Sequence, residues 1–196
     1  MGEIINAAHL CIDMQNLFAK GGVWETPWME KVLPVISDIA ARYSERTVFT
    51  RFVTPERPED GVGQWQAYFA KWRAATRPRL RPGDLDIVPE LARYSPPALV
   101  IDKPAYSAFF GSRLAPLLAG KHVGTVVVTG AETDVCVLST VLNAVDLGLR
   151  VVIVEDALCS SSDTGHDALM TMYRARFHGQ IDLVSADELF EIWRPG

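Results

Sequence analysis

Short apolar runs rich in β-branched residues alternate along this chain with stretches whose apolar positions recur every three or four residues. Residues 9–13 (HLCID) predict a first strand, and residues 32–43, with Leu33, Ile36, Ile39 and Ala40 at helical spacing, predict the helix after it. A second strand is predicted at 47–51 (TVFTR) and a helix at 64–74; a third strand follows at 98–102 (ALVID) and a short helix at 112–118. The fourth run, 126–128 (VVV), ends in a glycine turn at Gly130, and a helical pattern over 137–145 begins at Cys136. A fifth strand at 150–154 leads to a helix over 163–177, and a sixth at 181–184 leads to a last helix at 186–192.

Strands that alternate with helices imply right-handed crossovers and a mostly parallel six-stranded sheet covered by helices on both faces, a three-layer α/β/α arrangement. The apolar strands suit burial on both sides. In such a sheet ligands bind beyond the carboxyl ends of the strands. Chemistry-bearing residues should therefore cluster just after strands, however far apart they lie in sequence. The Pro- and Gly-rich stretches at 54–63 and 77–83 read as loops inside one unit, and no repeat or low-complexity tract interrupts residues 1–196, so one domain is expected.

Composition narrows the partners. The 196 residues are 48% hydrophobic and 22% charged, with a net charge of -5 and no basic cluster, which argues against a nucleic-acid partner. No window has the length and apolarity of a membrane span, and residues 1–6 lack the basic region that opens a secretory signal. Cys11, Cys136 and Cys159 are odd in number and widely scattered, so a reducing, cytoplasmic setting is expected rather than a disulfide framework. No Gly-x-Gly-x-x-Gly follows the first strand and no P-loop is present, so a nucleotide has no phosphate cradle here, and no cofactor is expected.

The candidate chemistry lies at three strand ends. Asp13 closes the first strand, Lys103 follows the third and Cys136 follows the fourth. On parallel strands these three meet at one rim of the sheet. A carboxylate there can take a thiol proton, an ammonium can stabilise both anions, and the thiolate can attack an electrophilic carbon. The start of a helix at Cys136 would add about 1 kcal/mol of thiolate stabilisation from the helix dipole. Cys11 and Cys159 have no such partners and read as core residues. His9, His122, His166 and His178 show no metal-ligand spacing.

Three segments resemble one family: Ile12-Asp13-Met14-Gln15-Asn16, Lys103-Pro104-Ala105-Tyr106-Ser107-Ala108-Phe109, and Gly130-Ala131-Glu132-Thr133-Asp134-Val135-Cys136-Val137, with a weaker match at Glu155-Asp156-Ala157. In this order they resemble the isochorismatase-like hydrolases, which include nicotinamidases and N-carbamoylsarcosine amidohydrolase, and the resemblance spans nearly the whole chain. It implies a Rossmann-like fold, an Asp-Lys-Cys triad carried by Asp13, Lys103 and Cys136, a non-proline cis peptide at Ala131–Glu132, and an oxyanion hole from the backbone N–H groups of Glu132 and Cys136. It also implies a homo-oligomer, dimer or tetramer.

The chain departs from the nicotinamidases after the second strand. Their Asp-x-His metal motif is replaced by Thr50-Arg51-Phe52-Val53-Thr54-Pro55, so no metal site of that type is expected. Isochorismatases proper cleave a vinyl ether and do not need the cysteine. Retention of Cys136 favours C–N cleavage in a small amide, ureide or carbamoyl compound through a thioester. A vinyl ether hydrolase using Asp13 and Lys103 is the alternative, and a catalytically silent binding protein on the same fold is another. Phe18, Trp24, Trp65, Tyr106 and Phe109 are candidates for a pocket wall. Arg51, at the end of the second strand, is a candidate partner for a substrate carboxylate or else forms a surface salt bridge. The segment 65–72 is a candidate both for pocket wall and for subunit interface.

Overall fold

The structure is a computed structural model that describes residues 2–194. Strands β1 (Ala7–Ile12), β2 (Thr47–Phe52), β3 (Leu99–Lys103), β4 (Thr125–Ala131), β5 (Arg150–Cys159) and β6 (Ile181–Val184) form a sheet in the order β3-β2-β1-β4-β5-β6. Every neighbouring pair is parallel. The order reverses between β1 and β4, so the crevice at their carboxyl ends is where this topology leaves room for a ligand.

The helices that cross between strands are α1 (Met29–Arg42), α2 (Trp65–Lys71), the single turn α3 (Pro89–Ala92), α4 (Leu114–Gly120), α5 (Leu138–Asp146), α6 (Asp163–Arg176) and α7 (Ala186–Ile192). Alternation along the strands explains the two cores. On β4, Val127 packs with Cys11, Phe49 and Val152 beneath α1, α3 and α7; Val126 and Val128 pack with Leu10, Val151 and Ile153 beneath α4, α5 and α6. Local signals fix several helix starts. Ser162 accepts the N–H of Gly165 at α6, and Ser185 with Glu188 forms a reciprocal capping box at α7.

Several boundaries differ from the sequence expectation. Helix α1 starts three residues before position 32, and α2 stops at Lys71, where the chain tightens into a 3-10 turn over Arg73–Ala75. Strand β5 continues to Cys159 instead of ending at Val154. Val128 pairs with Ile153 but Gly130 pairs with Leu158, so β5 bulges around Glu155-Asp156-Ala157 and pairs again with the end of β4. Gly130 has φ +109°, and a Cβ there would stand 2.1 Å from the carbonyl oxygen of Ile12. Only glycine lets the ends of β1 and β4 approach this closely.

The expectation that helix begins at Cys136 is also corrected. A π-helical turn over Thr133–Val137 starts upstream, and α5 follows it at Leu138. The Glu132 carbonyl accepts the N–H of Val135 and that of Val137, both at 3.1 Å, so the turn is wound wide around Cys136.

His9 ties the centre of the sheet together. It is wholly buried on β1, with Nδ1 3.0 Å from the Thr47 hydroxyl on β2 and Nε2 2.8 Å from the Thr129 hydroxyl on β4. Burial lowers its pKa to about 3, so it stays neutral in the fold. The unfolded chain takes up this proton below the ordinary value near 6.5, and the folded chain does so only near 3. Stability from this group is therefore full above pH 6.5 and is lost as the pH falls toward 3. Between pH 6.5 and 4.5 the loss is expected to be about 2–3 kcal/mol. Urea denaturation of wild type and His9→Gln across that range tests it: the slope of stability against pH should flatten in the variant.

Candidate active site

Asp13 follows β1 directly and has a left-handed backbone, φ +48°. Aspartate tolerates this region better than most residues. The turn is held from β2: the Thr50 hydroxyl accepts the Asp13 N–H at 3.1 Å and donates to Asp13 Oδ1 at 2.7 Å. One hydroxyl thus fixes both the backbone and the carboxylate. Oδ2 takes no bond from any neutral donor. Its close neighbour is Lys103 Nζ, 2.7 Å away, and both side chains are fully withdrawn from solvent.

Lys103 ends β3, the edge strand, two strands away from β1. At the usual strand spacing that is about 10 Å. A lysine stem spans it, passing with Nζ 5.0 Å from the centre of the Phe52 ring. The ammonium also donates to the carbonyls of Ala105 and Tyr106, each at 2.9 Å. With Asp13 these occupy its three protons. Burial alone would lower the Lys103 pKa. The Asp13 carboxylate and the Cys136 sulfur outweigh burial, and the net shift is upward.

Cys136 is close enough to Asp13 and Lys103 for the charges of both to act on its thiol. Burial pushes its pKa well above the ordinary thiol value, the Asp13 charge pushes further in the same direction, and Lys103 opposes them without prevailing. The resting sulfur is therefore a protonated thiol beside a carboxylate oxygen. This reverses the expectation of a thiolate stabilised by a helix start. The peptide between Ala131 and Glu132, just upstream, is cis. Cys11 and Cys159 are buried free thiols whose pKa values burial raises, that of Cys159 to about 12. Such thiols are inert packing groups.

Cys136 opens into a cavity of about 330 Å³. Its wall is made largely of rings: Phe18, Trp24, Phe52, Tyr68, Trp72 and Tyr106. Phe18, Trp24 and Tyr106 were expected there. Trp65 and Phe109 are not among the lining residues. Trp65 turns instead to a separate, larger groove of about 760 Å³ beyond β2 and β3, and Phe109 packs against the core beneath α4 and α5. Arg51 does not line the cavity either. It makes a two-pronged ion pair with Asp102, its register partner on β3, at 2.7 and 3.0 Å, and a longer contact with Asp86.

Sequence reasoning missed Phe52 and the Glu132 side chain, and it reached Tyr68 and Trp72 only as part of the candidate wall segment 65–72. Tyr68 and Trp72 are four residues apart, as are Trp65 and Phe69, so α2 and the residue after it present one aromatic pair to the cavity and another to the larger groove. Asp102 likewise carried the signal for Arg51, since strands in register set opposite charges side by side.

The place after β2 where the resemblance would put metal ligands holds Phe52, buried in the ring cluster, and Thr54, a buried hydroxyl without a partner. Among the described residues no group of three or more His, Cys, Asp or Glu side chains could hold a metal ion. This donor set does not fit a divalent cation. Among the described residues no helix is long and apolar enough to cross a membrane.

A family model described as the Isochorismatase domain matches residues 7–184. The chain is 31% identical over 185 residues to Nicotinamidase 3 of Arabidopsis thaliana, covering 93% of this chain and 86% of the relative. It is 31% identical over 172 residues to the ureidoacrylate amidohydrolase RutB of Cronobacter turicensis, covering 77% and 73%. Among solved structures it superposes on a cysteine hydrolase from Pseudomonas syringae pv. phaseolicola with a TM-score of 0.80 at 18% identity, covering 97% and 96%, a likeness of fold. The matched span takes in Asp13, Lys103 and Cys136 alike, and with it this chain belongs to the isochorismatase-like hydrolase superfamily.

Proposed function

We propose that this protein is a metal-independent cysteine amidohydrolase that cleaves the C–N bond of a small amide, ureide or carbamoyl compound. The observation that carries the reading is the wholly buried Lys103–Asp13 pair, 2.7 Å apart, whose charges both act on the Cys136 thiol at the floor of the cavity. Two relatives named for amide hydrolysis support the bond type.

The chemistry follows from the protonation state. Because the resting sulfur is a thiol, attack needs a base at the moment of reaction. Asp13 Oδ2, whose second lone pair is not used by Lys103, takes the proton as sulfur bonds to the acyl carbon. Lys103 keeps its charge throughout and holds the carboxylate in place. The carbonyl oxygen becomes an oxyanion facing the backbone N–H groups of Glu132 and Cys136, donors of a kind worth about 3–4 kcal/mol in the transition state. Asp13 returns the proton to the leaving nitrogen, and ammonia or an amine departs. A thioester on Cys136 remains. Water, giving its proton to Asp13, hydrolyses it and frees the acid and the thiol. The indole N–H of Trp24, buried without an acceptor, is available to a substrate acceptor atom in the cavity.

Three measurements test this. In an ammonia-release screen over small amides, ureides and carbamoyl compounds, Cys136→Ala should lose turnover on the order of 10³-fold or more while unfolding within ~1 kcal/mol of wild type; full activity in that variant ends the proposal. Asp13→Asn removes the charge that raises the thiol and leaves Lys103 to lower it, so the pH midpoint of Cys136 alkylation by iodoacetamide should move down while turnover disappears. An unchanged midpoint would mean that Asp13 does not act on the sulfur. Thr50→Val frees the Asp13 carboxylate, so kcat should fall about tenfold with little change in KM, and Thr50→Ser should restore most of it.

A further inference from the structure

The charge and shape of the cavity over Cys136 point beyond the bond that is cut to the kind of molecule that carries it. Trp24 stands at the centre of the wall. Its ring centre is 5.9 Å from those of Phe18 and Phe52, at 24° and 29°, and 6.0 Å from that of Trp72, at 73°. Tyr68 and Tyr106 meet at 85°. Trp24 is thus stacked with Phe18 and with Phe52, and rings of differing tilt line one small space. An aromatic wall attracts an alkylated ammonium group wherever a ring face is open to it.

The ionisable groups at the same wall are acidic. Glu25 is exposed at the mouth, with one carboxylate oxygen 2.8 Å from the Gly21 N–H, and the half-buried Glu132 has Oε1 3.0 Å from the Ser161 N–H. Among the described residues neither is ion-paired, and no Arg, Lys or His lines the cavity. The nearby ammonium of Lys103 is committed to Asp13 and two carbonyls. Arg51, the one candidate for a substrate carboxylate, is held outside by Asp102. An anionic substrate would meet two unopposed carboxylates and no counter-charge. A cation would gain both from the carboxylates and from the ring faces.

We propose that the substrate is a small amide bearing a fixed positive charge, an alkylated ammonium or pyridinium, seated in the ring cage so that its acyl carbon meets Cys136. This rests on the amidohydrolase reading above and adds the charge class. The volume, at the low end of the roughly 300–1,000 Å³ of ligand cavities, suits a small molecule.

Ammonia release from isosteric amides tests it. Trimethylammonioacetamide should be turned over with a kcat/KM at least about tenfold above its neutral isostere 3,3-dimethylbutanamide. The same order should hold for 1-methylpyridinium-3-carboxamide over 3-methylbenzamide, and the carboxylate analogue malonamate should be the poorest. Glu25→Gln, a change at an exposed position, should reduce the cation-to-neutral ratio several-fold. Independently of turnover, tetramethylammonium should slow iodoacetamide labelling of Cys136 in wild type, whereas tert-butanol at the same concentration should not. Equal or better turnover of the neutral or anionic amides, lost in Cys136→Ala, overturns the charge class and leaves the amidohydrolase reading standing. No protection by tetramethylammonium likewise overturns the cage. Protection without turnover of any amide upholds the cage as a cation site and counts against amide hydrolysis.

Discussion

Lys103 and Asp13 lie 2.7 Å apart with no exposure to solvent, and much of the molecule answers to the cost of keeping them there. Removing one partner of such a pair typically costs about 3–5 kcal/mol, because the other charge is left buried alone. Every element near them offsets that cost. Strand β2 contributes the Thr50 hydroxyl to the carboxylate and the Phe52 ring to the ammonium. The chain after β3 turns back so that the carbonyls of Ala105 and Tyr106 take two of the ammonium protons. Gly130 lets β4 close against the end of β1, which brings the turn bearing Cys136 to the same place. Replacing the pair with apolar side chains would remove this cost, and on the proposed reading it would remove the reactive centre as well.

The thiol gains its character from the same burial. A cysteine exposed at a helix start would be partly ionised and would react with whatever met it. Here desolvation and the neighbouring carboxylate keep the proton on sulfur. On the proposed mechanism, reactivity is then conditional on occupancy of the cavity, and the aromatic wall decides what can occupy it.

The fold was legible because each strand, and each helix except the single turn α3, announces itself by period, and parallel pairing follows from their alternation. The rim residues were legible for the same reason: Asp13, Lys103 and Cys136 stand at the ends of apolar runs. What escaped was set by register and local winding. The bulge in β5 depends on pairing with β4 that no local pattern encodes. The π turn displaced the helix start from Cys136 because cooperative winding began at Thr133. Arg51 looked available until β3 placed Asp102 beside it. Aromatic residues were found as a class, but which way each ring faced depended on the faces of α2, whose two pairs spaced four apart serve different grooves.

One further consequence follows from where Lys103 is anchored. Strand β3 is the outer strand of the sheet, and Leu99, Val100 and Asp102 on it are exposed while Lys103 alone is buried. Edge strands with little covering open at lower free energy than the core they border. The buried ammonium therefore hangs from the segment readiest to detach, while Asp13 and Cys136 follow two central strands. Mild heat or denaturant would disconnect the ammonium before the domain melts. If the proposed role of Lys103 holds, inactivation would then be a local, reversible event that runs ahead of global unfolding, and the working limit of the protein would be the hold of one short strand on its neighbour.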